Sequence, residues 1–489
     1  MTARVSPITA GLSLSWRGSV ALVRDDRLLV NVEFGKLRDG LHTDPANPAD
    51  PFDLEIVPRV LAGEGYDVED VDEWVVDGWC AGPASRLPVR DRGGVTDLTV
   101  AGPASFERLP DPGRPGHAGK FELGGWARPY TSYPHVAGHL AAAYCTSAFA
   151  RRRDPCVVLV WDERCAPHLY RVGPDGRVQP GGVVPLPAGP VTAELFVDRA
   201  VRQIRAGHAD SPVNLCCTGD RALDAGWSSA LLAHPMVREI WVPPFPDGSG
   251  SAIGAAAVHL CRRQGLRGLE WRLESGPELV RHPHVPDGWS VAPCRPEELA
   301  RLLHRTGAAA VVLNGRAKLG PRALGSRSIL APATDPEMRV RLNRATRRDD
   351  GRPIGALCLS EHAPEIFDPG TADPYQTFVH RVRPEWVPRI PAVVGADGTT
   401  RLQTVGPGDD AALATILREY HKWRGVPVLC STDVVAGAGG SVADVQTALR
   451  ESEIDMVWSD GVLNRRIAGG LARPRAEDQP RAEGRMSLR

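Results

Sequence analysis

The apolar residues of this chain fall in short runs separated by turn formers, and these runs set the predicted elements. Ser19-Val20-Ala21-Leu22-Val23 and Leu28-Leu29-Val30-Asn31-Val32 flank the polar stretch 24–27, which predicts a β-hairpin near the N-terminus. Cys156–Asp162, Val213–Thr218 and Glu239–Pro244 are further runs of strand length, the second leading into a glycine. Tyr133–Ala150 and Ser251–Gly265 have helical patterning, the latter built from small residues. Alternating strands and helices predict a layered α/β domain. Residues 84–119, rich in Pro, Gly, Arg and Asp, predict a long surface loop, and the His, Pro, Gly and Asp of 281–294 a linker. A second α/β segment follows from Glu297 to about Ile467. Residues 470–489 have almost no apolar content and predict a disordered tail.

Composition narrows the class without choosing a function. A chain of 489 residues exceeds one ordinary core, so more than one domain is expected. Hydrophobic content of 42% and charged content of 24% describe an ordinary globular protein. A net charge of −1 argues against nucleic-acid binding through a broad positive field. No apolar stretch approaches the ~20 residues of a membrane span, and MTARVSPITA lacks a signal-peptide core. The ten cysteines are scattered with no C-x-x-C pair, as expected of reduced thiols in a cytoplasmic protein.

The densest chemistry lies in GRAKLGPRALGSRSIL, Gly315–Leu330, which follows the strand-like run Ala308–Leu313. Three guanidiniums (Arg316, Arg322, Arg327) and the ammonium of Lys318 crowd a turn containing glycines and a proline. Glycines let backbone N–H groups approach an anion, and arginines clamp carboxylate or phosphate oxygens bidentately. A solvated basic loop is the alternative. Elsewhere, His135 and His139 in PHVAGHLAAAY stand four residues apart, so on a helix both imidazoles leave one face and can share a metal ion.

GPRALG followed by x-R-S-I-L resembles the O-carbamoyltransferases of natural-product biosynthesis, a group that includes the nodulation, tobramycin and hydroxymethylcephem enzymes. Scattered similarities, S-G-S-A-I-G, L-E-W-x-x-x-S-G from Leu269, Asp373–Tyr375 and Gln403–Val405, most resemble the hydroxymethylcephem type. The resemblance implies an actin-like ATPase-type domain at 1–290, with the opening hairpin over a nucleotide or phosphate, and a YrdC-like α/β domain at 295–468. It implies that the second domain joins a carbamoyl group to AMP, with carbamoyl phosphate and ATP as sources and Mg²⁺ present. The first would then pass the group to a small-molecule hydroxyl or amine. Arg316, Arg322, Arg348 and Arg352 are the implied catalytic cations, with Lys318, Asn343 and Thr432 beside the nucleotide. His135, His139, Asp162 and Asp247 are the implied ligands of Fe²⁺ or a similar divalent metal. The implied partners are a small-molecule acceptor and a second carbamoyltransferase chain, identical or related, with neither nucleic acid nor membrane.

The chain departs from that family at several points. Trp16 and Arg17 occupy the positions of a base-bearing pair, and neither can accept a proton near neutral pH. Asp247 is displaced by one residue, with Gly248 in its usual place, and Glu163 stands where a glycine usually follows Asp162. Asp220 and Asp224 replace the glycine and asparagine of a phosphate loop, Thr346 replaces a lysine, and Lys318 reverses a glutamate's charge. These departures favour a second expectation, a non-catalytic relative that binds a partner or metabolite.

Overall fold

The computed structural model describes residues 6–15, 17–37, 51–78, 86–102, 114–162, 166–207, 211–262, 264–280, 287–434 and 440–467. The expected hairpin forms as strands Ser19–Arg24 and Arg27–Glu33. A strand the apolar pattern did not reveal, Ile8–Leu12, completes an antiparallel meander with them. Thr9 and Gly11 dilute its signal, yet both are needed at close quarters. Thr9 is fully buried, and a Cβ on Gly11 would stand 1.9 Å from the carbonyl oxygen of Ala252. Ile8–Leu12 then pairs in parallel with Glu73–Asp77, which pairs in parallel with Trp126–Tyr133, and His117–Leu123 closes the edge.

A second sheet repeats the plan. Cys156–Val160, His168–Val172 and Val178–Val183 form the meander, and Val213–Thr218 and Val237–Trp241 add the parallel strands. Two helices are sandwiched between these sheets. His135–Cys145 packs on the second sheet, Gly248–Cys261 on the first, and each packs on the other. The core between them is lined by Val23, Val75, Leu140, Ile253, Val158 and Cys216, all buried.

The helices approach so closely because their crossing is glycine on glycine. A Cβ on Gly254 would lie 1.8 Å from the carbonyl oxygen of Gly138, the residue just before His139. Gly254→Ala should therefore push the histidine helix outward and destabilise the protein by about 1–3 kcal/mol or more. Thermal melting checks the destabilisation, and weaker divalent-metal binding by calorimetry checks the displacement.

Residues 289–466 form a ten-stranded mixed sheet, from Trp289–Pro293 at one edge to Phe367–Asp368 at the other. Helices Pro296–Thr306 and Ala411–Arg424 cover one face through Leu299, Leu303, Leu413, Leu417 and Tyr420, and Met338 and Leu342 lie in the core on the other. In its middle, Ala310–Leu313 and Arg327–Pro332 pair antiparallel, so the Gly315–Leu330 block includes the connecting turn.

Two sequence expectations need correction. Residues 84–119 are not one loop: Arg86–Asp91 and Gly94–Thr99 form a hairpin joined to Phe52–Asp53, and a strand begins at His117. The apolar signal was sparse, but Leu87, Val89 and Leu98 all point inward and are buried. Within 281–294, Trp289–Pro293 is an edge strand paired with Val462–Arg466, its mostly exposed residues explaining the linker-like composition. The expected tail lies outside the described residues. No helix among the described residues is long and apolar enough to cross a membrane.

Candidate active site

Three apolar strands of the first two sheets end at one place. Asp77 ends Glu73–Asp77, Asp162 follows Cys156–Val160, and Thr218-Gly219-Asp220 follows Val213–Thr218. The histidine helix starts beside them. His135 Nδ1 lies 2.7 Å from Asp77 Oδ2, which fixes that nitrogen as the proton-bearing one and leaves Nε2 as a lone-pair donor. His135 Nε2 and His139 Nε2 face each other at 3.0 Å, and Asp162 Oδ2 lies 3.7 and 3.4 Å from them. Two lone pairs converging at that distance repel unless a proton or a cation lies between them. Burial raises the Asp162 carboxyl, but the two imidazoles outweigh it and hold the group well below the usual carboxylate range. Two imidazole nitrogens and a carboxylate, with a carboxylate behind one histidine, form a donor set that fits a divalent transition metal.

Asp247 is buried beside this triad without joining it. Its Oδ1 caps the glycine-rich helix, accepting from the N–H of Ser249 at 3.3 Å and from the Ser249 hydroxyl. Trp16 lies outside the described residues, whereas Arg17 stands 4.0 Å from Asp220. Asp220 has a largely buried side chain, and burial, with Asp162 and Asp247 near, pushes its carboxyl up to about 6. Asp224 caps the next helix, Ala225–Leu232, accepting from the N–H of Gly226 at 2.9 Å.

In the Gly315–Leu330 block, most cations brace the loop itself. The Arg327 guanidinium donates to the carbonyls of Asn314, Gly315 and Ser326. Arg316 pairs with Glu64 and, at 3.0 Å, with Glu278, both outside the loop. Lys318 is buried, its Nζ 2.8 Å from the carbonyl of Leu324 and 3.4 Å from Asp410. Asp410, which also accepts from Asn314 and caps Ala411–Arg424, thus balances the charge reversal at Lys318. Gln403 donates to the same Leu324 carbonyl at 2.9 Å, steadying a residue held at φ 47°.

Arg322 is the exception. It is buried and reaches out of the loop, donating to the carbonyls of Leu223 at 2.7 Å and Tyr375 at 3.3 Å, while burial, then Arg401, pulls its guanidinium down to about 10. Arg401 and Asp433 also act on Arg348, whose Nη1 donates to the Thr432 hydroxyl at 2.7 Å and whose neighbour is Arg352. Asp433 accepts from the N–H of Ala323 at 2.8 Å and feels Arg322, Arg348 and Lys36. It lies at the exposed end of its strand. The structure therefore gathers Arg322, Arg348 and Arg352 with Arg401 and Lys36, and sets Arg316 and Lys318 apart. Asn343, fully buried, holds the Arg348–Arg352 turn through the carbonyls of Asp350 and Arg352.

The two groups meet. From the first hairpin, Glu33 accepts from the N–H of Gly320 at 2.7 Å and Lys36 donates to the Lys318 carbonyl. Arg322 reaches the Leu223 carbonyl just past Asp220 and lies within the field of Asp247. Gly320, at φ 90°, abuts the chain just before Asp247, since a Cβ there would stand 1.9 Å from the Pro244 carbonyl oxygen.

Sequence reasoning missed Asp77, Glu33, Lys36, Arg401 and Asp433. Asp77 had a readable signal, because E-W-V-V-D ends an apolar run in aspartate just as C-V-V-L-V-W-D does. The others are ordinary charged residues of strands and turns, brought to the site only by the tertiary fold.

Comparison with known proteins identifies the family. Residues 300–466 match the family described as carbamoyltransferase C-terminus, and residues 125–209 and 191–257 its N-terminus counterpart. Nodulation protein U of Rhizobium tropici is 33% identical over 555 aligned positions, covering 93% of this chain and 95% of that protein. That alignment is longer than this chain, so segments of the relative have no counterpart here. The 3'-hydroxymethylcephem-O-carbamoyltransferase of Streptomyces clavuligerus is 33% identical over 284 positions, 56% of this chain and 52% of that protein. The dispersed cephem-like similarities thus sit in a chain that the nodulation protein matches over a greater length. Among solved structures, component A of the (R)-2-hydroxyglutaryl-CoA dehydratase of Acidaminococcus fermentans overlays 51% of this chain and 96% of its own at a TM-score of 0.25 and 13% identity. By its near full-length match and by both halves of its sequence, this chain belongs to the O-carbamoyltransferase family and is a transferase.

Proposed function

We propose that the chain makes carbamoyl-adenylate from carbamoyl phosphate and ATP at the cationic cluster and transfers the carbamoyl group to a small-molecule hydroxyl beside the histidine pair. The family descriptions and the cephem enzyme's name supply the carbamoyl group, and that enzyme's name a hydroxyl acceptor. The observation that carries the reading is the convergence of Arg322, Arg348, Arg352, Arg401 and Lys36 in one interacting cluster, which Arg322 ties to the Leu223 carbonyl and the field of Asp247 beside the His135–His139–Asp162 triad. A triphosphate and an acyl phosphate need several fixed cations, and guanidiniums supply charge without ambiguity of protonation.

In this reading water releases inorganic phosphate from carbamoyl phosphate, an oxygen of the resulting carbamate attacks the α-phosphorus of ATP while Arg348 and Arg322 hold the phosphates, pyrophosphate leaves, and Mg²⁺ accompanies the nucleotide. His135, His139 and Asp162 hold an iron-type divalent ion, which when bound polarises an oxygen as a Lewis acid. The repeated sheet plan before residue 242 supports an actin-like unit at 1–290, and the ten-stranded sheet a YrdC-like unit at 295–468. The setting is cytoplasmic secondary metabolism, in a chain that pairs with itself or with a related carbamoyltransferase. Purified protein given ATP, carbamoyl phosphate and Mg²⁺ should release pyrophosphate only when both substrates are present. A flat pyrophosphate trace defeats the reading.

A further inference from the structure

Four aspartates stand near the histidine pair, and three have evident work. Asp77 holds His135 at 2.7 Å, Asp162 faces both imidazoles, and Asp247 caps the glycine-rich helix through Ser249. Asp220 has no such commitment. Among the described residues its ion-pair partner is Arg17, at 4.0 Å, longer than a hydrogen bond.

Its placement is nevertheless fixed by backbone. The N–H of Gly219 donates to the Pro246 carbonyl at 2.7 Å, next to Asp247, and the N–H of Arg221 donates to the Trp161 carbonyl at 3.2 Å, next to Asp162. A Cβ on Gly219 would stand 2.3 Å from that Trp161 oxygen, so the turn bearing Asp220 lies directly on the strand end that presents Asp162. On the other side is the Arg17 turn, which packs on Gly248. The Arg17 guanidinium is half exposed, at 48%, and the Asp220 side chain 19% exposed, so the pair is open to solvent on one side.

We propose that Asp220 is the general base of the transfer step, with Arg17 as its positioning residue. This rests on the carbamoyl-adenylate reading above. The Asp220 carboxylate takes the proton of the acceptor O–H as that oxygen forms its bond to the carbamoyl carbon. The bond between that carbon and the adenylate oxygen breaks, AMP leaves as the phosphate anion with the bonding pair, and the proton on Asp220 passes to water.

The test uses the full chain and water as the acceptor probe. Protein carrying adenylate is isolated by rapid gel filtration after one turnover, and conversion of the bound adenylate to AMP is followed. In the first turnover Asp220→Asn should release pyrophosphate at the wild-type rate, but it should then form AMP on the order of 10²-fold more slowly or worse. Hydroxylamine, which attacks without a base, should convert the adenylate to hydroxyurea equally in both proteins. Asp220→Gly, which places the smallest residue in the turn, should regain part of its AMP formation with added formate. Wild-type AMP formation in Asp220→Asn overturns the proposal, as does loss of bound metal from that variant by elemental analysis, which would make Asp220 a ligand. Absence of pyrophosphate from the wild type instead defeats the underlying reading.

Discussion

Arg348→Met should lower pyrophosphate release from ATP and carbamoyl phosphate by on the order of 10²–10³-fold, the usual loss when one donor to developing phosphate charge is removed. Arg348 suits this test better than Arg322. Its hydrogen bond to Thr432 tethers only the side chain to a neighbouring strand, and it is partly exposed. Arg322 is buried and ties together the carbonyls of Leu223 and Tyr375, so replacing it leaves buried acceptors unmet and confuses folding with chemistry. Melting temperature and bound metal should be unchanged in Arg348→Met. A rise in KM for ATP with kcat intact would mean that Arg348 serves ground-state binding alone. No change in either constant would remove it from the site.

His139→Ala should abolish stoichiometric binding of a divalent transition metal, read by elemental analysis after dialysis. The triad offers three protein ligands, and a two-ligand remnant of His135 and Asp162 lacks the chelation that holds an ion against dialysis. Asp77→Asn separates ligand from support. It leaves all three ligands in place but removes the charge that orients His135, so affinity should fall by about 10–100-fold while stoichiometry survives at high metal. Equal metal content in wild type and His139→Ala would leave the histidine pair structural.

What could be read from residues alone followed physical scale. Spacing is local, so H-x-x-x-H and the strand-ending Asp162 were legible, and the structure brings them within reach of one ion. The cation-rich block was legible as a turn but not as a division of labour. Nothing local distinguishes Arg327, which ties the loop to itself, or Arg316, paired with Glu64 some 250 residues away, from Arg322. Lys318 looked like an uncompensated charge because its partner Asp410 lies 92 residues downstream. Strands rich in charge were missed for a related reason. In R-L-P-V-R-D only Leu87 and Val89 face inward, too few to stand out in a Pro- and Arg-rich stretch.

The grip of Glu33 on Gly320 also orders events in time. The two residues are 287 positions apart in the chain, and the ribosome adds about 5–20 residues per second. For roughly 15–60 s of synthesis, therefore, the first hairpin is finished while the backbone it must hold does not exist. During that interval Glu33 lacks the Gly320 N–H and Lys36 the Lys318 carbonyl, and the meander around them must persist on its own packing. The contact between the first hairpin and the Gly315–Leu330 block is thus among the last to form, and a nascent chain stalled before residue 320 carries the histidine pair without most of the cation-rich block.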